Sequence, residues 1–255
     1  MIRIIKYIFL DILRTRFIIL YTLFLALITI ALYQLDSDPA KVTLSLLNIM
    51  LMVVPLVSVV FTTIHFYNSY EFIELMLAQP VNRRTIFFAE YLSIALSLSI
   101  AILAGIGLPI LIYGVDSASF ALLLSGILLN IVFVSLAFLA AVLTRDKAKA
   151  IGIALLFWFY FSLIYDGALL YIIYSFQDYP IEKITLGLIS LNPIDLARII
   201  MILKLDISAL MGYTGAFYKD FFGSNTGIFF SISVLGLWML VPVGFAMRIF
   251  ANKDL

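Results

Sequence analysis

The sequence contains no cysteine and a single histidine, His65, among its 255 residues. The lack of cysteine excludes a disulfide framework and a thiolate metal site, and one histidine cannot form a metal-binding cluster alone. Charged residues are also scarce, at 12% of the chain against about 25% in soluble domains. Hydrophobic residues make up 64%. A water-soluble core cannot bury that much apolar surface, so the composition predicts an integral membrane protein.

Six long apolar stretches account for this composition. A hydrocarbon core about 30 Å thick requires roughly 20 mostly apolar residues per helix, and lipid offers no hydrogen-bond partner to an open strand. We therefore predict an all-α membrane protein with a single domain, 1–255, and six membrane-spanning helices. The predicted spans are 17–35, 42–64, 86–115, 117–144, 150–177 and 221–247.

The residues before the first span predict an interfacial helix on the membrane surface, because apolar and basic side chains sort onto different faces. The first span is too long for a signal peptide and lacks a small-residue cleavage site, so we interpret it as retained. The apolar residues are Ile2, Ile5, Phe9 and Leu13, and the basic residues are Arg3, Lys6 and Arg14.

The distribution of lysine and arginine predicts that both termini are cytoplasmic. Basic residues concentrate in the cytoplasmic loops of membrane proteins, and this orientation places 11 of the 16 basic residues inside and 5 outside. The inside group is Arg3, Lys6, Arg14, Arg16, Arg83, Arg84, Arg145, Lys147, Lys149, Arg248 and Lys253. The outside group is Lys41, Lys183, Arg198, Lys204 and Lys219.

The loop between the second and third spans contains an amphipathic segment, YEFIELMLAQPVNRR, at positions 70–84. Its pattern predicts a short cytoplasmic helix of the kind that docks on a partner, and the alternative is a helix that floats on the lipid surface. Pro80 ends the helix. The apolar face is Phe72, Ile73, Met76 and Leu77, the opposite face is Glu71, Glu74 and Ala78, and Arg83 and Arg84 mark the return to the membrane.

The loop between the fifth and sixth spans predicts short helices on the outer side. Asn192 and Pro193 form a helix start, with Asp195 in the first turn where the helix dipole favours an anion. The segment 194–205 is apolar but too short to span the membrane. Together with 207–222 it predicts one or two helices at the outer interface, with breaks at Gly212, Gly215 and Gly223.

These features together resemble the permease subunits of ABC-2 type transporters. The segment 71–84 is similar to that family's run of an acid, leucines, proline, valine and arginine, with Phe72 and Ile73 in place of a common Gly-Thr pair. The resemblance implies a coupling helix that docks on a separate cytoplasmic ATPase. It also implies short outer helices between spans five and six.

Two segments resemble more narrowly the permeases of transporters that mature nitrous oxide reductase. They are WFYFSLIYDGALL at 158–170 and LNPIDLARI at 191–199. This resemblance implies a homodimer in the inner membrane that binds two ATPases and a periplasmic accessory protein and helps to assemble a copper-sulfur centre. It identifies Asn192, Pro193, Asp195 and Arg198 as residues that face a partner outside.

The chain carries no nucleotide-binding or metal-binding motif of its own. No G-x-x-x-x-G-K-[ST] sequence occurs, so ATP and Mg²⁺ belong to the partner ATPase and the chain is not expected to be an enzyme. The lack of thiolates and the single imidazole disfavour a copper relay through the chain. We expect no cofactor in the chain and no nucleic-acid partner.

Asp166 is the one charged residue deep within a predicted span, where it costs roughly 2.5–3.5 kcal/mol to insert. It is either a gating or substrate-path residue or a packing partner for hydroxyls such as those of Tyr165 and Ser162. The adjacent Gly167 would permit close approach of another helix.

Two further polar residues lie near span ends. Glu90 is expected to reach the membrane surface or to pair with Arg83 or Arg84. We interpret His65 as an interfacial polar residue.

The leading functional hypothesis is a permease powered by a separate ATPase. An ABC-2 exporter of a peptide, lipid or drug is the nearest alternative. An ion-coupled carrier or channel that uses Asp166 is a second alternative. An intramembrane enzyme is disfavoured because the sequence offers no Ser-Lys pair, second intramembrane aspartate or histidine cluster.

Overall fold

The computed structural model describes residues 2–36, 38–176, 179, 182–204 and 225–252. These residues form helices joined by short turns, and no strand occurs among them. The α-helices are α1 (Ile2–Leu13), α2 (Arg16–Leu35), α3 (Pro39–Asn68), α4 (Tyr70–Leu77), α5 (Arg83–Ile102), α6 (Leu108–Tyr113), α7 (Ser117–Leu143), α8 (Lys147–Phe159), α9 (Tyr165–Ser175), α10 (Glu182–Ser190), α11 (Pro193–Lys204) and α12 (Asn225–Asn252).

Six helices of the described chain are long and apolar enough to cross a membrane. They are α2, α3, the continuous α5–α6, α7, the continuous α8–α9, and α12, which we call spans one to six. The all-α fold with about six candidate membrane-spanning helices is therefore confirmed for the described residues. The predicted helix within 207–222, its glycine breaks and the first residues of the sixth predicted span lie outside the described residues.

Spans three and five each contain a π-helical turn. In span three this turn is Leu103–Gly107, and Pro109 follows it. Proline has no N–H to donate to the carbonyl of Gly105, four residues earlier, which accounts for the widened turn. The π-helical turn of span five, Tyr160–Ile164, contains no proline. Such turns often occur at functional sites.

Side-chain caps fix where several spans begin. The carboxylate of Asp38 accepts a hydrogen bond from the Ala40 N–H at 3.0 Å, and the Asn82 side chain accepts one from Arg84 at 3.0 Å. Asp146 accepts one from the Lys149 N–H at 3.0 Å, which lowers the pKa of the Asp146 carboxyl. These caps satisfy helix N-termini that would otherwise lack partners. Because of these caps, α3, α5 and α8 begin before the apolar stretches from which the spans were predicted.

Span four is the centre of the bundle, and its side chains are mostly buried against spans two, three and six. Asn130 of span four is fully buried. Its amide nitrogen donates to the Ala95 carbonyl and the Ser99 hydroxyl, both at 3.0 Å, and its oxygen accepts from the Ser58 hydroxyl at 2.8 Å. Hydrogen bonds between membrane helices stabilise their packing, so Asn130 joins spans two, three and four.

The N-terminal helix α1 packs on span three. Ile8 and Ile12 are buried, whereas Ile2 is exposed, and the Ser93 hydroxyl of α5 donates to the Ile5 carbonyl at 3.1 Å. The predicted helix is present, and Ile5 and Leu13 of its predicted apolar face are partly buried against the core alongside Ile8 and Ile12.

The bundle has two distinct ends. At one end α4 lies beside the ends of spans two to six, and we call this the α4 end. Contacts there include the hydrogen bond from Lys147 to the Asn68 side chain at 2.8 Å and the edge-to-face pair of Phe66 and Phe250. At the opposite end α10 and α11 form a helical hairpin, bent by 110°, which we call the hairpin end.

Candidate functional site

A cluster of charged residues joins span five to the hairpin. The Arg198 guanidinium of α11 donates two hydrogen bonds to Asp166 of α9, from Nη1 to Oδ1 at 3.0 Å and from Nη2 to Oδ2 at 3.2 Å. The same Nη1 lies 3.2 Å from Oδ1 of Asp195. A planar guanidinium is suited to such two-pronged recognition of a carboxylate. Arg198 therefore connects two carboxylates on two different helices.

Asn192 fixes the position of α11 within this cluster. Its side-chain oxygen accepts a hydrogen bond from the Ile194 N–H at 3.0 Å, which caps α11. Its amide nitrogen donates to Oδ2 of Asp195 at 2.8 Å and to the carbonyl of Phe161 at 3.0 Å. Phe161 belongs to the π-helical turn of span five. The predicted helix start at Asn192 and Pro193 is confirmed, and it is also a contact between the hairpin and span five.

The π-helical turn also determines which way Asp166 faces. A π turn contains one residue more than an α turn and so rotates the following side chains by about 100° around the helix. A second bond secures the same region, because the Tyr165 hydroxyl donates to the Leu188 carbonyl of α10 at 2.6 Å. Both helices of the hairpin are thus held against span five.

The cluster is only partly shielded. The side chain of Asp195 is 4% exposed, whereas those of Asp166 and Arg198 are 27% and 32% exposed. Two carboxyl groups share one guanidinium, so the cluster has one more acidic group than it has basic groups. Arg198 also lines a cleft of about 180 Å³ between spans two and five and α11, whose other polar lining residues are Asn48, Trp158 and Ser162.

The structure corrects the sequence-based interpretation of these residues. One of the two interpretations of Asp166 paired it with hydroxyls such as those of Tyr165 and Ser162, but it bonds Arg198, and the Ser162 hydroxyl has no hydrogen-bond partner. Asn192, Pro193 and Asp195 were expected to face an outside partner, but all three are buried within the chain. They position α11, and the charge pairing that they support was not predicted.

The second region of interest is α4, the predicted coupling helix. Its residues Tyr70–Leu77 form a helix as predicted, and Pro80 follows it. Ile73 is 1% exposed and packs into the bundle, and the ring of Phe72 stacks on Tyr7 of α1 at 6.2 Å between centroids. Met76 and Leu77 pack against the same core.

The apolar face of α4 therefore packs on the chain itself, fully at Ile73 and partly at Phe72, Met76 and Leu77. We expected a partner to dock on this helix, but a pattern of apolar positions predicts an apolar face without showing what contacts it. The exposed residues are Glu71, Glu74 and Leu75, with Leu75 68% exposed. Arg83 and Arg84 are exposed at the start of span three. Leu75 was not among the predicted site residues.

Glu90 and His65 lie beneath α4. Glu90 is 2% exposed, and its Oε2 lies 3.6 Å from Nε2 of His65. The expectation that Glu90 reaches the membrane surface or pairs with Arg83 or Arg84 is corrected, because its carboxyl group points inward to span two. His65 is correspondingly part of an inter-helix contact.

Six apolar helices, a short helix at one end and a charged hairpin at the other define a multi-pass helical membrane protein without a water-soluble domain in the described residues. Residues 2–255 match the family model described as ABC-2 family transporter protein. The chain belongs to the ABC-2 transporter family.

Two curated relatives agree with this assignment. The chain is 34% identical over 149 residues to the probable ABC transporter permease protein NosY of Pseudomonas aeruginosa, a match that covers 54% of each chain. It is 29% identical over 136 residues to the probable ABC transporter permease protein NosY of Stutzerimonas stutzeri, covering 49% of each chain. The chain spans about half the length of the curated relatives it matches.

The family assignment and the geometry bear on the alternatives. An ion-coupled carrier was considered because Asp166 appeared to be an isolated intramembrane carboxylate. Both oxygens of Asp166 accept hydrogen bonds from Arg198, so that argument no longer stands. The described residues also contain no group of three histidine, aspartate or glutamate side chains that could hold a metal ion.

Proposed function

We propose that this chain is the membrane-spanning permease of a transporter that a separate cytoplasmic ATPase drives. The observation that carries the proposal is the exposed strip of α4, formed by Glu71, Glu74 and Leu75. It belongs to a helix whose opposite face is packed on the bundle, in a chain of the ABC-2 transporter family. A helix held on one side can transmit force from a protein bound to the other side.

The charge at the α4 end supports a cytoplasmic position for α4. Exposed basic residues flank α4 in the chain and in the adjoining loop between spans four and five. They are Arg83, Arg84, Arg145, Lys147 and Lys149. Such residues favour the cytoplasmic side. The N-terminus of α1 and the C-terminus of α12 then face the cytoplasm, and the hairpin end faces outward.

Leu75→Asp is expected to lower the amount of ATPase that co-purifies with the permease by roughly tenfold. Burial of a leucine side chain contributes about 1.5–3 kcal/mol, and aspartate both removes that contribution and adds a charge beside Glu71 and Glu74. Charge reversal of the two glutamates is expected to have a smaller, salt-sensitive effect. The measurement is an affinity pull-down from detergent-solubilised membranes.

Gln79→Asp is the matched control, because Gln79 is exposed just beyond the same helix. It should retain the ATPase. Substitutions at Phe72 or Met76 are unsuitable for this test since both side chains pack on the permease core. Wild-type retention of the ATPase by Leu75→Asp would show that α4 is not the docking element.

We propose in addition that two copies of the chain associate along span five. Added side chains at Gly152 and Gly167 would meet no neighbouring atom within 4 Å, which is also true of Gly236 and Gly244 in span six, so the partly exposed charge distinguishes span five. Asp166, beside Gly167 in the chain, is partly exposed. Exposure of a charge to lipid is costly, and a second copy would reduce that exposure.

Gly167→Cys is expected to form a disulfide-linked dimer on oxidation of membranes, because a disulfide requires Cα atoms within about 7 Å. The chain has no cysteine, so the background is zero. Leu237→Cys, at an exposed position of span six, is the control and should remain monomeric. Equal cross-linking of the two variants would contradict an interface at span five.

The similarity to the two NosY permeases and the segments at 158–170 and 191–199 support a role in assembling the copper-sulfur centre of nitrous oxide reductase. A periplasmic accessory protein would then contact the hairpin end. Cells without this chain are expected to produce nitrous oxide reductase depleted of copper at this centre, measured by metal analysis of the purified enzyme. A fully loaded enzyme from such cells would exclude the role and leave export of another substrate.

A further inference from the structure

A carboxyl group with an unsatisfied oxygen lies beneath α4. Glu90 is almost fully buried in span three, seven residues after the start of α5, and its Oε2 has no hydrogen-bond partner. The hydroxyls of Thr62 in span two and Ser97 in span three are also buried without a hydrogen-bond partner, but Glu90 is the ionisable group among the three. Ionisable groups inside membrane spans are costly and ordinarily have a role.

His65 is placed between Glu90 and the start of α4. Its Nε2 lies 3.6 Å from Oε2 of Glu90 and 3.3 Å from the hydroxyl of Ser69. A ring nitrogen carries either one proton or one lone pair, so it forms one good hydrogen bond at a time. The two neighbours therefore compete for the same nitrogen.

The imidazole ring has little freedom to move. It stacks on Phe61 with a centroid distance of 5.7 Å, and Phe61 stacks on Phe17 of span one at 4.9 Å. Because the ring is held in its plane, the partner of Nε2 depends on the positions of Ser69 and Glu90.

Ser69 is the junction between α3 and α4. Its N–H donates to the His65 carbonyl and its own carbonyl accepts from the Ile73 N–H, both at 2.9 Å. Ser69 thus belongs both to the last turn of α3 and to the first turn of α4. Its hydroxyl lies within reach of a ring that also faces span three.

We propose that His65 is a positioning residue that couples the orientation of α4 to span three, by bonding Ser69 in one position of α4 and Glu90 in the other. The inference rests on the proposed docking of the ATPase on α4. In the second position, Glu90 accepts the hydrogen bond from His65 that Ser69 accepts in the first. This role requires a polar group at the buried position of Glu90. Two discrete arrangements of one side chain are what a mechanical coupling of this kind requires.

The experiment uses the reconstituted complex of permease and ATPase. His65→Phe keeps the stacking on Phe61 and removes the nitrogen. It is expected to retain the ATPase at the wild-type level, to leave the KM for ATP unchanged, and to lower the maximal ATP turnover about tenfold, the size typical of coupling substitutions. Glu90→Gln and Ser69→Ala should act in the same direction. His65→Gln, whose amide can bond either neighbour, should restore much of the turnover.

The double variant His65→Phe with Glu90→Gln should be no worse than either single variant, because both interrupt the same contact. Ser97→Ala is the control, since Ser97 is a buried hydroxyl of the same helix without a hydrogen-bond partner, and the complex with this variant should turn over ATP normally.

Normal turnover by His65→Phe, or additive losses in the double variant, would overturn the inference. Should Phe at position 65 destabilise the permease, Glu90→Gln alone decides by the same readouts. Failure of the wild-type chain to bind an ATPase would instead contradict the proposed function.

Discussion

Replacement of Arg198 by methionine is expected to destabilise the hairpin end more than any other single change in the charged cluster. The substitution leaves Asp166 and Asp195 without the guanidinium that both contact, so two neighbouring carboxyl groups lose their shared cation. Removal of one member of a buried ion pair costs about 3–5 kcal/mol. Because Arg198 is about one-third exposed, we expect a smaller loss of about 2–3 kcal/mol after allowance for solvent screening.

The matched variant is Asp166→Asn. It leaves one carboxylate, Asp195, opposite one guanidinium and therefore a balanced pair, so its cost should be clearly smaller. Arg198→Lys should fall between the two, because an ammonium keeps the charge but cannot bond both oxygens of Asp166 in a planar fork. The thermal unfolding midpoint of the purified permease in detergent gives the ranking. An Asp166→Asn variant as unstable as Arg198→Met would show that charge balance does not govern this site.

Asp166→Asn separates a packing role from a functional role. If the variant permease assembles with its ATPase and the complex turns over ATP at the normal rate, the only role of the charged cluster is to hold the hairpin in place.

The six spans were predictable because each depends on its own local composition. About 20 apolar residues commit a segment to the membrane whatever its neighbours are. The helix ends were less accurate. The predicted second span was 42–64, whereas α3 is Pro39–Asn68. The polar residues of the helix ends, such as the cap at Asp38, lie outside the hydrocarbon region and carry no hydropathy signal.

The pairing of Asp166 with Arg198 was not predictable from the same reasoning. The two residues are 32 positions apart, and their contact depends on the 110° bend of the hairpin and on the π-helical turn before Asp166. The π-helical turn contains no proline. The sequence predicted a helix start at Asn192 and Pro193 but not the bend between α10 and α11. The sequence did contain one indication of this pairing. A carboxylate within a span requires a partner, and Arg198 lies three residues after Asp195 on the same face of one helix.

The helix α10 (Glu182–Ser190) was not anticipated either. It is too short for a hydropathy window and its apolar residues do not form a span. Its position is evident only from contacts such as the bond between Tyr165 and Leu188. The same limit applies to α4, whose apolar face was predicted while the direction of that face was not.

Gly105→Ala is expected to separate spans one and three and to lower the free energy of unfolding by about 2–3 kcal/mol, the upper part of the range for overpacked sites. A β-carbon at Gly105 would lie 2.6 Å from the β-carbon of Leu25 and 2.9 Å from the backbone carbonyl of Thr22. Neither atom is the end of a flexible side chain, so the helices themselves must move apart. Close helix contacts at glycine are a principal source of packing in membranes.

Two glycines of the same bundle are matched controls for this prediction. A β-carbon at Gly107 would meet Leu123 at an ordinary 3.6 Å, so Gly107→Ala should be neutral or stabilise by up to about 1 kcal/mol through its better helix propensity. At Gly126 the clash is with the sulfur of Met50, a flexible side chain that adjusts more easily, so Gly126→Ala should cost an intermediate amount. Thermal unfolding midpoints in detergent test the order, Gly105 worst and Gly107 least affected. A Gly105→Ala midpoint equal to that of Gly107→Ala would mean that spans one and three do not approach as closely as this packing requires.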